Sequence, residues 1–107
     1  MTFDYDDRRD RRVAEASPYA LNYPSDIDKV PDNAGVYMFF AANDEVIYVG
    51  KASGGRLREE IKAKAETPAE TGARSFRWFR TNSDELAVEL EARWIKKYQP
   101  QNNQVGK

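Results

Sequence analysis

Polar residues dominate the start of the chain and apolar residues its middle. From Asp4 to Arg12, acids and arginines alternate with almost nothing to bury, which predicts a mobile arm or an exposed first turn. Val13–Ala16 extends it as a short helix ending before Pro18. Tyr19, Leu21, Tyr23 and Ile27 then supply apolar surface between Pro18 and Pro31, so residues 17–34 read as an irregular segment laid against the core. Val36–Ala41 and Glu45–Val49 are rich in β-branched and aromatic residues and flank Asn43-Asp44, a turn dipeptide. With Asn43 and Asp44 as a two-residue loop, Phe39 pairs with Tyr48, Met38 with Val49 and Phe40 with Ile47. That register puts Tyr37, Phe39 and Tyr48 on one face and Met38, Phe40, Ile47 and Val49 on the other.

After Gly50-Lys51 and a small-residue loop, Leu57, Ile61 and Ala65 give one narrow stripe to a helix from about Arg56 to Ala65. Glu66–Gly72 is a loop, and Ser75–Thr81 alternates as a third strand. Asn82 or Ser83 caps a last helix, with Asp84 and Glu85 in its first turn, that runs to Tyr98 and stops before Pro100. The pattern predicts an α+β domain: a three-stranded, mainly antiparallel sheet flanked by helices. Residues 1–30 form the arm and irregular segment, and 31–107 the folded domain.

One residue breaks the last helix's pattern. At about 100° per residue with Leu86 at zero, Leu90, Trp94, Ala87, Ile95 and Val88 fall between roughly 40° and 200°. Glu91 falls near ~140°, inside that apolar arc. A carboxylate there pairs with a buried arginine, lies at the edge of a patchy core, or faces a solvated cleft, where it can ligate a hard cation such as Mg²⁺.

Composition narrows the chemistry. The 107 residues include no cysteine, so disulfides, zinc-thiolate sites and thiol catalysis are excluded. With no histidine either, a general base must be Tyr, Lys, Asp, Glu or metal-bound water. The net charge of −1 is unevenly placed: residues 1–32 carry −3 and residues 33–107 carry +2. A mildly basic body tolerates a nucleic-acid substrate without demonstrating one. No apolar stretch approaches the roughly 20 residues that span a bilayer, and the start lacks a signal-peptide core. The expectation is a cytoplasmic protein without a membrane partner.

Gly35-Val36-Tyr37 followed by Tyr48-Val49-Gly50-Lys51 resembles the two-strand signature of the GIY-YIG nucleases. Arg56 opens the next helix as the family arginine does. Glu91 stands in Glu91-Ala92-Arg93-Trp94-Ile95-Lys96-Lys97-Tyr98-Gln99-Pro100, which looks like the end of the catalytic domain in the excinuclease subunit of bacterial nucleotide-excision repair. Asn103, twelve residues on, looks like the family's terminal asparagine. The resemblance covers about residues 30–105 and implies a small GIY-YIG-like fold.

It also implies an activity: metal-dependent endonucleolytic hydrolysis of phosphodiester bonds in DNA. Glu91 would hold the single ion, Mg²⁺ or Mn²⁺. Tyr37 and Tyr48 would line the site, one of them positioning or deprotonating the attacking water with help from Lys51. Arg56 would bind the scissile phosphate, and Gly35, Gly50 and Asn103 would shape or brace the site. One helical turn beyond Arg56, where many members place a histidine or tyrosine, this chain has Glu60. Arg74, Arg77 and Arg80, beside Phe76, Trp78 and Phe79, are either phosphate and stacking contacts or core aromatics with solvated arginines. Two other readings compete with the nuclease: a non-catalytic nucleic-acid-binding module on the same fold, and an accessory subunit whose Arg/Asp-rich arm docks a protein partner.

Overall fold

The computed structural model describes residues 1–103. Gly35–Phe40 forms β3, in which all six residues are buried. A continuous apolar run of this kind marks a strand covered on both faces. β3 lies between β4 (Val46–Ala52) and β5 (Ser75–Arg80), antiparallel to each. On one face, Leu57 and Ile61 of α1 (Leu57–Ala63) pack against Tyr37, Phe39, Phe76 and Trp78. On the other, Ala87, Leu90, Trp94 and Tyr98 of α2 (Asp84–Tyr98) pack against Val36, Met38, Val49 and Phe79. Two dry layers, one per sheet face, hold the α+β fold together.

The sheet has five strands rather than the three expected. β1 (Glu15–Ala16) and β2 (Leu21–Asn22) both pair antiparallel with β5. Val13–Ala16 is thus extended, not helical: the Ala14 N–H donates to the Arg80 carbonyl at 2.7 Å and the Ser17 N–H to that of Trp78 at 2.9 Å. An unpaired β5 edge leaves main-chain groups without partners, and that demand overrides the weak local helix preference.

The segment from Asp4 to Arg12 is tied down as well. Tyr5–Arg9 is a 3-10 turn on α2, where Lys97 pairs with Asp4 at 2.8 Å and Asp7 at 2.9 Å. The Tyr98 hydroxyl donates to the Asp7 carboxylate, and Asp10 meets Arg93. Acids near the N-terminus meet the basic last turn of a helix some ninety residues away, the favourable end for a cation. Arg8, Arg9 and Arg11 remain on the outside.

The hairpin register holds where it matters and shifts near the turn. Tyr37 pairs with Gly50, Met38 with Val49 and Phe39 with Tyr48 as expected, but Phe40 pairs with Val46, not Ile47. The loop is one residue longer on the β3 side: the Ala41 N–H donates to the Glu45 carbonyl at 3.0 Å, and Asp44 takes φ 65°. A bulge at Ile47 absorbs that extra residue and restores the register for Tyr48. Ile47 therefore joins the face of Tyr37 and Phe39, and Val46 takes the opposite one.

Ser83 caps α2, its Oγ accepting from the Leu86 N–H at 3.2 Å. Gln99 ends the helix in the left-handed region ahead of Pro100. Val88, placed in the apolar arc by periodicity, is 48% exposed. The buried stripe centres on Ala87, Leu90, Trp94 and Tyr98, so Val88 at the arc's edge clears the sheet.

Candidate active site

β3 and β4 bring Tyr37 and Tyr48 side by side, with ring centroids 6.1 Å apart. Both rings face α1, as the register requires. Tyr37 is fully buried and its ring lies on Gly50; a Cβ there would collide with the ring's hydroxyl end. Gly50 is thus the space that admits Tyr37. Gly54 and Gly55, at φ 59° and 77°, turn the chain sharply after β4. The Gly54 N–H donates to Asp84 in the first turn of α2 at 3.0 Å, tying this loop to that helix. The turn delivers Arg56 to the N-cap of α1.

These elements converge on one open pocket of about 380 Å³ lined by Tyr37, Tyr48, Lys51, Ser53, Arg56, Glu60, Lys64 and Glu91. Tyr37, Tyr48, Lys51, Arg56 and Glu91 are therefore brought together from two strands and two helices. Glu91 lies at the edge of the core, with a lysine rather than a buried arginine as its partner. Its carboxylate lies 3.5 Å from the Lys51 ammonium, and the side chain, 20% exposed, faces the pocket. Glu60 also turns inward, 3.7 Å from the Arg56 guanidinium. Three cations thus face two carboxylates.

The Tyr37 hydroxyl is buried at the pocket without a hydrogen-bond partner among the described residues. Burial drives its pKa well above the ordinary tyrosine value, and Tyr48, Glu60 and Glu91 add to the effect. This phenol stays protonated at neutral pH and offers a donor to whatever enters. Tyr48 is only half-buried, and the Lys64 ammonium lies 6.0 Å from its ring centroid. Among the described residues there is no cluster of three or more metal-ligating side chains. The donor set still fits one hard divalent ion, because Mg²⁺ commonly takes one or two carboxylates and fills its shell with water and phosphate oxygens.

The other expected site residues sit just outside. Asn103 clamps β4 beside Tyr48: its Oδ1 accepts from the Val49 N–H and its Nδ2 donates to the Val49 carbonyl, both at 2.9 Å. Gly35 lies at the start of β3 against the Phe79 carbonyl. Lys64, Ser53 and Asn102 were not anticipated. Lys64 follows Arg56 and Glu60 at intervals of four, so helical spacing alone points to it. Asn102, buried and donating to the carbonyls of Ala69 and Thr71, has no such signal.

The β5 arginines do not form a phosphate-binding row. Phe76, Trp78 and Phe79 are core, Arg80 pairs with Glu15 at 3.3 Å, and Arg77 is buried under the N-terminal segment.

A family model described as the UvrC-like GIY-YIG domain matches residues 33–104. Curated relatives include the UvrABC system protein C of Acidothermus cellulolyticus, 36% identical over 84 residues, and that of Rickettsia bellii, 42% identical over 79. The matches cover 70% and 69% of this chain but only 13% and 12% of those proteins. Among solved structures, the GIY-YIG N-terminal endonuclease domain of UvrC from Thermotoga maritima, bound to magnesium as its catalytic divalent cation, superposes with a TM-score of 0.64 at 28% identity. That match covers 74% of this chain and 92% of that domain. With a matching sequence profile over three strands, both helices and the terminal turn, the chain belongs to the UvrC-like GIY-YIG domain family.

Proposed function

We propose that this domain is an endonuclease that hydrolyses phosphodiester bonds in DNA, using one divalent ion, Mg²⁺ or Mn²⁺, held by Glu91. The observation that carries the reading is the convergence of Tyr37, Tyr48, Lys51, Arg56 and Glu91 on one open pocket. When bound by Glu91, such an ion would supply Lewis acidity toward the phosphodiester and acidify water. Arg56, exposed at the rim, binds the scissile phosphate and stabilises the charge that grows on it. Tyr37, held protonated by burial, donates a hydrogen bond into the pocket and orients the reacting groups. Tyr48, the more exposed phenol, orients the attacking water and takes its proton, with the Lys51 and Lys64 ammonium groups lining the same pocket. Asn103 keeps β4, and so Tyr48, in place.

The chain spans about an eighth of the relatives it matches. A part in excision repair alongside other UvrABC-type proteins is therefore proposed at the level of the domain's chemistry. Selection of a target would then rest with a protein partner, docked in part through the outward Arg8, Arg9 and Arg11. Among the described residues, no helix is long and apolar enough to cross a membrane.

Supercoiled plasmid converts to nicked or linear form with Mg²⁺ and not with EDTA. Tyr48→Phe slows conversion about a hundredfold, the low end of general-base contributions. DNA binding without Mg²⁺-dependent scission would instead leave a non-catalytic binding module, and an unchanged rate in Tyr48→Phe would remove that residue from the chemistry.

Glu60 opposes Arg56 in this arrangement. Glu60→Gln releases the guanidinium and removes a negative charge from the phosphate's path. DNA affinity, read by fluorescence anisotropy at low salt, rises about twofold to fivefold, as expected for a partly exposed ion pair. An unaltered Kd would mean that Glu60 does not compete with the phosphate.

A further inference from the structure

A second pocket, of about 280 Å³, lies on the α2 face of the sheet at the hairpin-turn end, and none of its lining is shared with the candidate active site. Its walls include Thr2, Phe3, Tyr5, Asn43, Asp44 and Arg77. Thr2, Phe3 and Tyr5 belong to the N-terminal segment, outside the stretch shared with the family.

Arg77 is the reason to expect a ligand. It projects from β5 on the Phe79 side and is only 6% exposed. Its guanidinium carbon lies 4.8 Å from the Phe3 ring centroid and 5.3 Å from that of Tyr5. Aromatic rings attract the cation through its faces, but the N–H donors lie in the guanidinium plane and need acceptors. Nη1 is buried and has none among the described residues. Desolvation pulls the group's pKa down, yet arginine does not give up its proton at physiological pH. Tyr5 and the Asp44 carboxylate favour the charged form, but neither supplies an acceptor to Nη1, so an oxyanion entering the pocket meets a buried donor that still lacks one.

The remaining walls define the rest of the ligand. Tyr5 is 67% exposed and edge-packed on Phe3 at 5.5 Å, leaving an open ring surface for a planar group. Asp44, at the rim, accepts hydrogen bonds from amino and imino groups, and Asn43 beside it uses its Oδ1 on the Glu45 N–H.

We propose that this pocket binds a single 5′-phosphorylated nucleotide with an amino-bearing base, free or at the end of a strand, with its phosphate on Arg77 and its base on Tyr5 and Asp44. The proposal is independent of the nuclease reading, since it uses neither the ion nor any residue of the first pocket.

Calorimetric titration of the full chain in EDTA tests it, with deoxyguanosine monophosphate, deoxyguanosine, inorganic phosphate and a short single strand with and without a 5′-phosphate as probes. The expected result is saturable binding of the monophosphate, weakened at least about tenfold in Arg77→Met, as for loss of a charge-assisted contact. Tyr5→Ala, at an exposed ring, weakens binding without threatening the fold, and Glu91→Ala leaves it unchanged. A preference for the phosphorylated strand over the free monophosphate assigns the site to strand ends, and the reverse assigns it to the free nucleotide. No binding at millimolar monophosphate, equal binding of inorganic phosphate, or binding unaltered in both Arg77→Met and Tyr5→Ala overturns the proposal. Loss of binding in Glu91→Ala would place the ligand in the first pocket and overturn it as well.

Discussion

In Glu91→Ala, Mg²⁺-dependent nicking falls at least about a hundredfold, the scale of losing a preorganised charge at a reacting phosphate, while the melting temperature moves by no more than a few degrees. The two outcomes separate because Glu91 is on the core's edge, not in it. Its ion pair with Lys51 spans 3.5 Å between side chains 20% and 42% exposed, a kind of pair that stabilises a fold by about 1 kcal/mol at most. Alanine restores part of that through its helix preference. Activity read by plasmid nicking and stability read by thermal unfolding therefore diverge. Cleavage at the parent rate, with contaminating nuclease excluded, would remove Glu91 from the metal site. A collapsed fold would show instead that its partnership with Lys51 is structural.

Gly35→Ala has the largest expected effect on stability, about 3 kcal/mol, at the upper end for overpacking a well-packed interior. A Cβ on Gly35 would run into the Phe79 carbonyl oxygen and approach the Arg80 Cα to 3.2 Å. Both obstacles are backbone, in the strand paired with β3, so no rotamer change relieves them. β3 and β5 must separate, although the Thr81 N–H to Ala34 carbonyl bond at 3.0 Å holds them together at this point. For a domain of this size the melting temperature drops by roughly 15 °C. Nicking falls too, because Tyr37 lies two residues along the displaced strand. An unshifted melting curve would show that the strands separate at little cost. Gly50 meets a different obstacle, the far end of the Tyr37 side chain, so the two signature glycines serve different contacts.

Much of the architecture was legible because it is local. The all-apolar run from Val36 to Phe40, a cap at Asn82 or Ser83 (Ser83 in the structure) and the Tyr98–Pro100 stop each state their element within a few residues. The register from Tyr37 to Phe39 also matches the expectation, although that expectation rested on a two-residue loop which the hairpin does not have. The bulge at Ile47 was not readable. It compensates a longer turn, and only the closed hairpin shows both together. The N-terminal segment misled for a related reason. Asp4, Asp7 and Asp10 look like solvated charges until Lys97 and Arg93 come to face them. β1 likewise becomes a strand only because β5 has a free edge for it.

For the candidate site, the sequence supplied the reactive side chains and the misfit of Glu91 on its helix. Residue type and periodicity carry that information at every position. The tertiary structure decided which of them meet. It set Lys51 against Glu91 and Glu60 against Arg56, left the Tyr37 hydroxyl buried without a partner, and turned Arg77 away from that pocket into another. Charge, size and period belong to a residue and its near neighbours. Burial and electrostatic pairing arise only when segments distant in the chain exclude water from between them.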